Sequence, residues 1–479
     1  MGSRVLSQLR RILDIRRSEL PLALLMFSFF FLVISTFWIL KPIKKAMFVA
    51  QYAHEPFRLL GWSLDAPQAE QIAKVGNMLV AIVAVYFFSS FSQSLRRERL
   101  CYVVLGFCLA CNVALAVAVP HGGAAVAWLL YLYGDLFNTV MVATFFAFLA
   151  DSFSPDSARR TFGVIVLGGV AGGAVGSTIV ASSVDRLGPQ GWLLVSAASA
   201  VVTIFIAWAA GREVRRNAID EPAERWRAAQ ARAAEPQPER PAAAGAGNPA
   251  LVGARLISRS RYLAAIVIMA GAYELISAII DFQFTSAVVN GVPEERVSSL
   301  FADVYMVTNL AALAIQVLLT SLIMTNLSVR TALLITPVAI MAVSTGFLVV
   351  PTVLLGCALS VFDHSLSYTI HQSAREALFT TTSREEKYSA KAFIDMFVQR
   401  FAKAAAILVN IAMTAMFSSF HGVRYLSLVV IGLTAMWLRA AAYAGARFAH
   451  VQQQERPATA DGVLSGEVVR AGDAAIVRT

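Results

Sequence analysis

The sequence predicts an all-α, polytopic membrane protein of twelve transmembrane helices in two pseudo-symmetric six-helix halves. Three observations predict it. Apolar stretches long enough to cross a bilayer recur along all 479 residues, 57% of which are hydrophobic. Six of them precede a polar insert and six follow it. Arginine and lysine crowd alternate loops, the bias that orients membrane helices.

Residues 1–19 set Val5, Leu9, Ile12 and Leu13 opposite Arg4, Arg10, Arg11, Arg16 and Arg17, which predicts a cytoplasmic interfacial segment. The first span, 20–40, holds no charge until Lys41-Pro42-Ile43-Lys44-Lys45. Spans two to six fall at 70–91, 100–119, 124–150, 162–184 and 190–210, completing an N-terminal half over 20–210. Arg96, Arg97 and Arg99 fill the second loop, Arg159 and Arg160 the fourth, and Ser154-Pro155 supplies a cap and first-turn proline. Gly168, Gly169, Gly172, Gly173 and Gly176 recur at a spacing that lets helices approach closely, which is a packing feature. Residues 211–260, rich in Ala, Pro, Arg and Glu, predict a cytoplasmic linker.

Spans seven to twelve fall at 262–284, 299–324, 330–350, 352–378, 390–417 and 422–445, giving a C-terminal half over 261–447. Arg384 and Lys387 mark the tenth loop, where Ser383-x-x-Glu386 is a capping box. Residues 448–479 predict a disordered cytoplasmic tail. Six helices, a linker and six helices is the layout of the major facilitator fold. An internal repeat agrees with it: Asp135 precedes Arg159 by 24 residues, as Asp363 precedes Lys387.

Several function classes are excluded. The net charge of +10 sits in loops, where it orients helices, so nucleic acid is not an expected partner. Cys101, Cys108, Cys111 and Cys357 lie in apolar segments, and the one Cys-x-x-Cys spacing has no second pair. They read as packing residues, and neither a metal nor a cofactor is expected. The glycine run lacks the Gly-Lys-Ser/Thr of a phosphate loop. No nucleophile–base constellation argues for an enzyme. Residues 1–18 lack the small-residue site of a cleavable signal.

The charges inside the spans carry the functional expectation, because each costs about 2.5–3.5 kcal/mol at mid-membrane on insertion scales. Counting places Lys41, Lys44 and Lys45 near the outer end of the first helix, although Ala46–Ala50 prolongs the apolar run. Three cations in five residues suit a phosphate-bearing or polycarboxylate cargo. Span seven carries Glu274 and Asp281, and pseudo-symmetry sets Asp281 at the depth of Lys41–Lys44, predicting an ion-pair gate. Asp135 and Asp363 fall mid-span in helices four and ten. They are expected to pair with the cations of helix eleven, Lys391, Arg400 and Lys403, where Asp395 stands one turn above Lys391. A second reading is a proton-coupled carrier of another organic anion, titrating Asp363, His364 or His371. A third is a transporter-like scaffold that recruits a partner through 211–260.

A family resemblance lies in these charged segments. Leu40-Lys-Pro-Ile-Lys44-Lys-Ala-Met-Phe-Val49, Tyr133-Gly-Asp135-Leu-Phe, Ala374-Arg-Glu-Ala-Leu-Phe, Glu385-Glu-Lys-Tyr-Ser-Ala-Lys391-Ala-Phe-Ile-Asp395 and Arg400-Phe-Ala-Lys403 resemble the ATP/ADP translocases of plastids and intracellular bacteria. The resemblance spans most of residues 20–445 and is most specific around spans ten and eleven. It implies ATP/ADP-type antiport by alternating access. The expected setting is the bacterial inner membrane, with a lipid-embedded monomer, both termini cytoplasmic, and a nucleotide or other phosphate-bearing anion as cargo. By motif, Lys44, Asp135, Asp281 and Lys403 fall where the family places its transport-site lysines and acids. Pro42 and Lys45 stand where plastid-type members carry acids, and Asp135 and Asp281 replace glutamates, so this site is more positive and its carboxylates shorter. Expected cargo contacts are Lys41, Lys44, Lys391, Arg400 and Lys403. Expected gating acids are Asp135, Glu274, Asp281, Asp363 and Asp395.

Overall fold

The structure, a computed structural model, describes residues 19–220 except 54, 60, 95, 96 and 154, then 255, 257–319, 328–382, 391, 393–417 and 420–465. The interfacial segment expected over 1–18, most of the linker and the capping box at Ser383 lie outside the described residues.

The first helix, α1 (Leu20–Gln51), opens with Pro21 at its first turn, where a missing N–H goes unnoticed. It does not stop at the lysines. It continues through Pro42 for a total of 32 residues, and both Lys44 and Lys45 are buried. The span read as 20–40 is thus longer, and its lysines lie within the helix rather than after it. Ile43, Ala46, Phe48 and Val49 prolong the buried apolar surface, which outweighs the one hydrogen bond forfeited at Pro42. A short antiparallel hairpin follows, β1 (Phe57–Leu59) with β2 (Trp62–Leu64), turning at Gly61 with φ 84°. Helix α2 (Ala66–Ser94) starts in a reciprocal cap: Gln68 N donates to Asp65 Oδ1, and Asp65 N to Gln68 Oε1, both at 3.1 Å. Burial holds the Asp65 carboxyl above its ordinary range, against the pull of the Gln68 amide.

Next come α3 (Arg97–Ala118), α4 (Ala124–Ser152) and α5 (Pro155–Asp220). The apolar part of α5, Arg160–Arg216, would be about 85 Å long as one straight helix, far beyond a bilayer core of about 30 Å. Gly188, at φ 60°, breaks it just before Pro189 and separates the two runs read as spans five and six. The remaining helices of seven residues or more are α6 (Arg261–Gly291), α7 (Glu294–Ala314), α8 (Val329–Val349), α9 (Val353–Leu366), α10 (Gln372–Leu378), α11 (Gln399–Met416) and α12 (Leu426–Ser465). Helix α12 continues into the segment expected as tail. Among the described residues ten stretches are long and apolar enough to cross a membrane; the double α5 is one of them, and α11 is not.

The described residues form two compact units: residues up to 246 together with Phe284–Leu313, and Gly247–Gln283 together with 314 onward. In the first, α1 lies against α5 at backbone distance. A Cβ at Gly168, Gly172 or Gly176 would fall on the backbone of Phe27, Phe31 or Ser35, so the repeated glycines act as the spacing predicts. Ser35 Oγ donates to the Gly172 carbonyl at 2.9 Å. Phe30 stacks on Phe145 at 4.4 Å to join α4 to the same core.

In the second unit α8 runs along α12, and Gly445 admits the Arg330 backbone. Two breaks in helical register stand out there. The segments Ser367–His371 and Ile394–Val398 are π-helical turns, wider than the regular helix that apolar periodicity suggests. Around the first, Ser367 Oγ donates to the Asp363 carbonyl, and Thr369 Oγ1 to the Ser365 carbonyl at 2.7 Å. Side-chain hydroxyls thus supply donors to carbonyls along the altered turn.

Candidate transport site

In the first unit, Lys44 on α1 forms an ion pair with Asp135 Oδ1 on α4, and Asn77 Nδ2 on α2 donates to Asp135 Oδ2. Three helices thus meet on one carboxylate. Lys44 is 5% exposed, and its ammonium also lies 4.6 Å from the centre of the Tyr131 ring. Gly134 makes the arrangement possible. A Cβ there would stand 2.5 Å from Lys44 Cδ, so the missing side chain is the channel for the lysine stem.

A second buried pair lies beside the first. Lys45 is 3.3 Å from Glu70 Oε1, which is also 3.8 Å from Lys74 and accepts from the Tyr131 hydroxyl at 3.0 Å. Glu70 is 1% exposed and Lys45 3%. The rings of Phe284 and Phe301 lie 5.5 and 5.4 Å from the Lys45 ammonium. Lys41 sits over aromatic faces, 4.4 Å from Trp38 and 4.6 Å from Tyr305. The three lysines expected to act as one phosphate cluster thus divide into an ion pair with Asp135, an ion pair with Glu70 and an aromatic seat.

In the second unit, Lys403 on α11 is half-exposed and lies 3.3 Å from Glu274 Oε2 on α6. Its recorded acid partner is thus neither of the expected mid-span aspartates. Lys391 makes a two-pronged contact with Glu376, at 2.7 and 2.8 Å. Arg400 is exposed, and no ion pair to it is found among the described residues. Asp395 falls in the π turn of α11's approach, and its side chain lies outside the described residues.

Asp363 is 0% exposed, accepts from Ser277 Oγ at 2.6 Å and lies 3.4 Å from His364 Nδ1. Asp281 is half-buried on α6, two turns past Glu274. His371 is buried between the rings of Tyr273 and Trp437, at 5.4 and 5.0 Å.

Sequence reasoning missed Glu70, Asn77, Gly134, Ser277 and Glu376. A signal existed for the first two. Glu70, Lys74 and Asn77 recur at i, i+4 and i+7, one polar stripe along an apolar helix. Gly134 and Ser277 have no such signature, since their roles depend on which helix stands opposite.

Bilayer-length helices joined by lysine–carboxylate pairs define a multi-pass membrane protein of the major-facilitator fold. The fold is shared with solved structures of low identity. A peptide transporter, POT, aligns at TM-score 0.59 and 14% identity over 88% of this chain and 95% of its own. A POT family transporter in complex with a thioalcohol-conjugated peptide aligns at 0.58 and 12%, over 91% and 99%. The nucleoside transporter NupG aligns at 0.51 and 14%, over 89% and 100%. Residues 348–448 match the TLC ATP/ADP transporter family, the group that the charged segments resemble. That match covers 101 of the 479 residues, from the end of helix α8 into α12. No curated protein matches the chain.

Proposed function

We propose that the chain exchanges nucleotides of the ATP/ADP type by alternating access, as a monomer of twelve membrane helices in a bacterial inner membrane with both termini cytoplasmic. The supporting observation is that each unit holds a lysine on a carboxylate: Lys44 on Asp135, and Lys403 on Glu274. Cargo phosphates take these cations, and the two acids recover them when the cargo leaves. Stripping a buried charge of its partner costs about 3–5 kcal/mol. Lys44 therefore leaves Asp135 only as a phosphate oxygen arrives, so an empty carrier stays locked. That makes exchange the low-barrier process and unilateral leak the costly one. Arg400, one turn from Lys403, adds a guanidinium fork for a second phosphate. Lys41 and Lys391 complete the cation set, and Asp281, Asp363 and Asp395 the gating acids.

The test is uptake of labelled ATP into proteoliposomes preloaded with ADP, inorganic phosphate or nothing. Rapid labelling is expected only with nucleotide inside, and Lys44→Ala and Lys403→Ala are each expected to abolish it while eluting as folded protein. Wild-type exchange by either variant refutes that lysine's role; no labelling by wild type under any loading refutes the cargo.

One observation favours a second reading, proton-coupled carriage of an organic anion. Asp363 is fully buried with the His364 ring and the Ser277 hydroxyl beside it, an acid and an imidazole placed together inside a membrane-length helix. Uptake driven by an imposed pH gradient into nucleotide-free vesicles, and lost in Asp363→Asn, is the signature of that reading.

A further inference from the structure

The second unit buries a small group of polar atoms that its own helices leave unmet. His371, at the end of the π turn Ser367–His371, is 2% exposed, and neither ring nitrogen makes a hydrogen bond among the described residues. The same holds for the indole Nε1 of Trp437 on α12 and for Thr434 Oγ1 one turn earlier, both residues being 0% exposed. These atoms lie together. The His371 and Trp437 ring centres are 5.0 Å apart, with the rings at 77°. A long helical side chain leans over the turn before its own Cα, which sets the indole over Thr434. Polar groups buried in this way are costly unless something bonds to them.

The wide turn is what brings His371 here. Asp363 precedes it by eight residues, which in a regular helix would leave the two side chains about 80° apart. One π turn takes up the extra residue, and both then face α6. Asp363 accepts from Ser277 Oγ at 2.6 Å, and His371 lies 5.4 Å from the ring of Tyr273, one turn before Ser277.

The unmet atoms select their own ligand. An indole N–H only donates; a neutral imidazole donates at one nitrogen and accepts at the other; a hydroxyl does either. A metal cation accepts nothing from the indole, and an anion has no proton for the imidazole lone pair. Water serves both, and a buried water makes about three hydrogen bonds. Two hydrogen bonds of about 2.9 Å span rings at this separation.

We propose that His371 is the centre of a buried hydration site. Each ring nitrogen holds an ordered water, and one of these is fixed by the Trp437 N–H and the Thr434 hydroxyl. The site is separate from the lysine–carboxylate pairs and holds whatever the cargo. It bears on transport through the π turn, because the waters stabilise the imidazole in the register that also turns Asp363 to α6.

The test is brief X-ray radiolysis of the full chain in detergent, which converts bound water to hydroxyl radicals that oxidise the side chains they touch. Each residue's rate is divided by its rate in the denatured chain. His371 and Trp437 are expected to be oxidised, while Phe347 of α8, equally buried but apolar, stays silent. Trp437→Phe keeps a ring and removes the donor. Oxidation of His371 is expected to fall about tenfold in it, the effect of losing one hydrogen bond of ~1.4 kcal/mol. Should Trp437→Phe fail to fold, Thr434→Val makes the same comparison with a side chain of the same shape. His371 as silent as Phe347 in wild type overturns the proposal, and so does unchanged His371 oxidation in the folded variant. Phe347 oxidised as fast as His371 would mean an interior open to bulk water, which overturns it too.

Discussion

At the scale of single residues, the site depends on an absence as much as on charges. The Lys44 stem runs where a side chain at Gly134 would be, so Gly134→Ala pushes the ammonium off Asp135. The displaced group is a flexible side chain, so the fold is kept. Exchange is expected to fall by about tenfold, the effect of ~1.4 kcal/mol, with unchanged thermal unfolding, measured on the same preparation. Lys45 and Glu70 make the complementary case. Both are almost wholly buried, so Glu70→Gln is expected to destabilise the protein by about 3 kcal/mol, read as a lowered unfolding temperature in detergent. The double change Lys45→Met with Glu70→Leu should recover most of that loss, because an apolar pair there needs no partner. Part of this was legible beforehand. The chemistry of Lys44, Asp135 and Lys403 stood out because charges inside apolar runs are costly. Which acid each lysine meets did not, since pairing is a fact about neighbouring helices that one strand of text does not contain.

At the scale of elements, the glycine repeat on α5 is where sequence and structure agree most closely. Its four-residue spacing predicted close approach, and α1 provides the backbone that fills the gap. Gly172→Val drives methyl groups into the Phe31 carbonyl and is expected to cost about 1–3 kcal/mol or more. Gly106→Val on α3 meets nothing within 4 Å and serves as the control in the same unfolding assay. The end of α1 was misjudged for a physical reason. Lysines usually mark the water interface, yet Asp135 and Glu70 neutralise them in place and the helix continues to Gln51. The π-helical turns were invisible for another reason. A single wide turn shifts the apolar stripe by less than a short window can register.

At the scale of the whole molecule, the apolar stretches and their charged interruptions gave the multi-pass membrane fold. Gly188 explains how one continuous apolar region of α5 holds two of the predicted spans. Orientation is an expectation that labelling checks directly. A cysteine placed in the 211–260 linker is expected to react with a membrane-impermeant maleimide in inside-out vesicles and not in intact cells. The reverse pattern would invert the proposed topology. The proposed exchange also belongs at this scale, since on that proposal it needs both lysine pairs rather than either alone. Lys44→Ala and Lys403→Ala combined should be no worse than each single change, because each already stops the cycle.

The seat of Lys41 gives the protein an optical handle. An ammonium 4.4 Å from the Trp38 indole perturbs the energy of its excited state, so emission from that ring records where the charge stands. In a variant that keeps Trp38 as its sole tryptophan, titration with unlabelled nucleotide would turn any withdrawal of Lys41 into a spectral shift. Occupancy could then be followed in real time without a radioactive tracer.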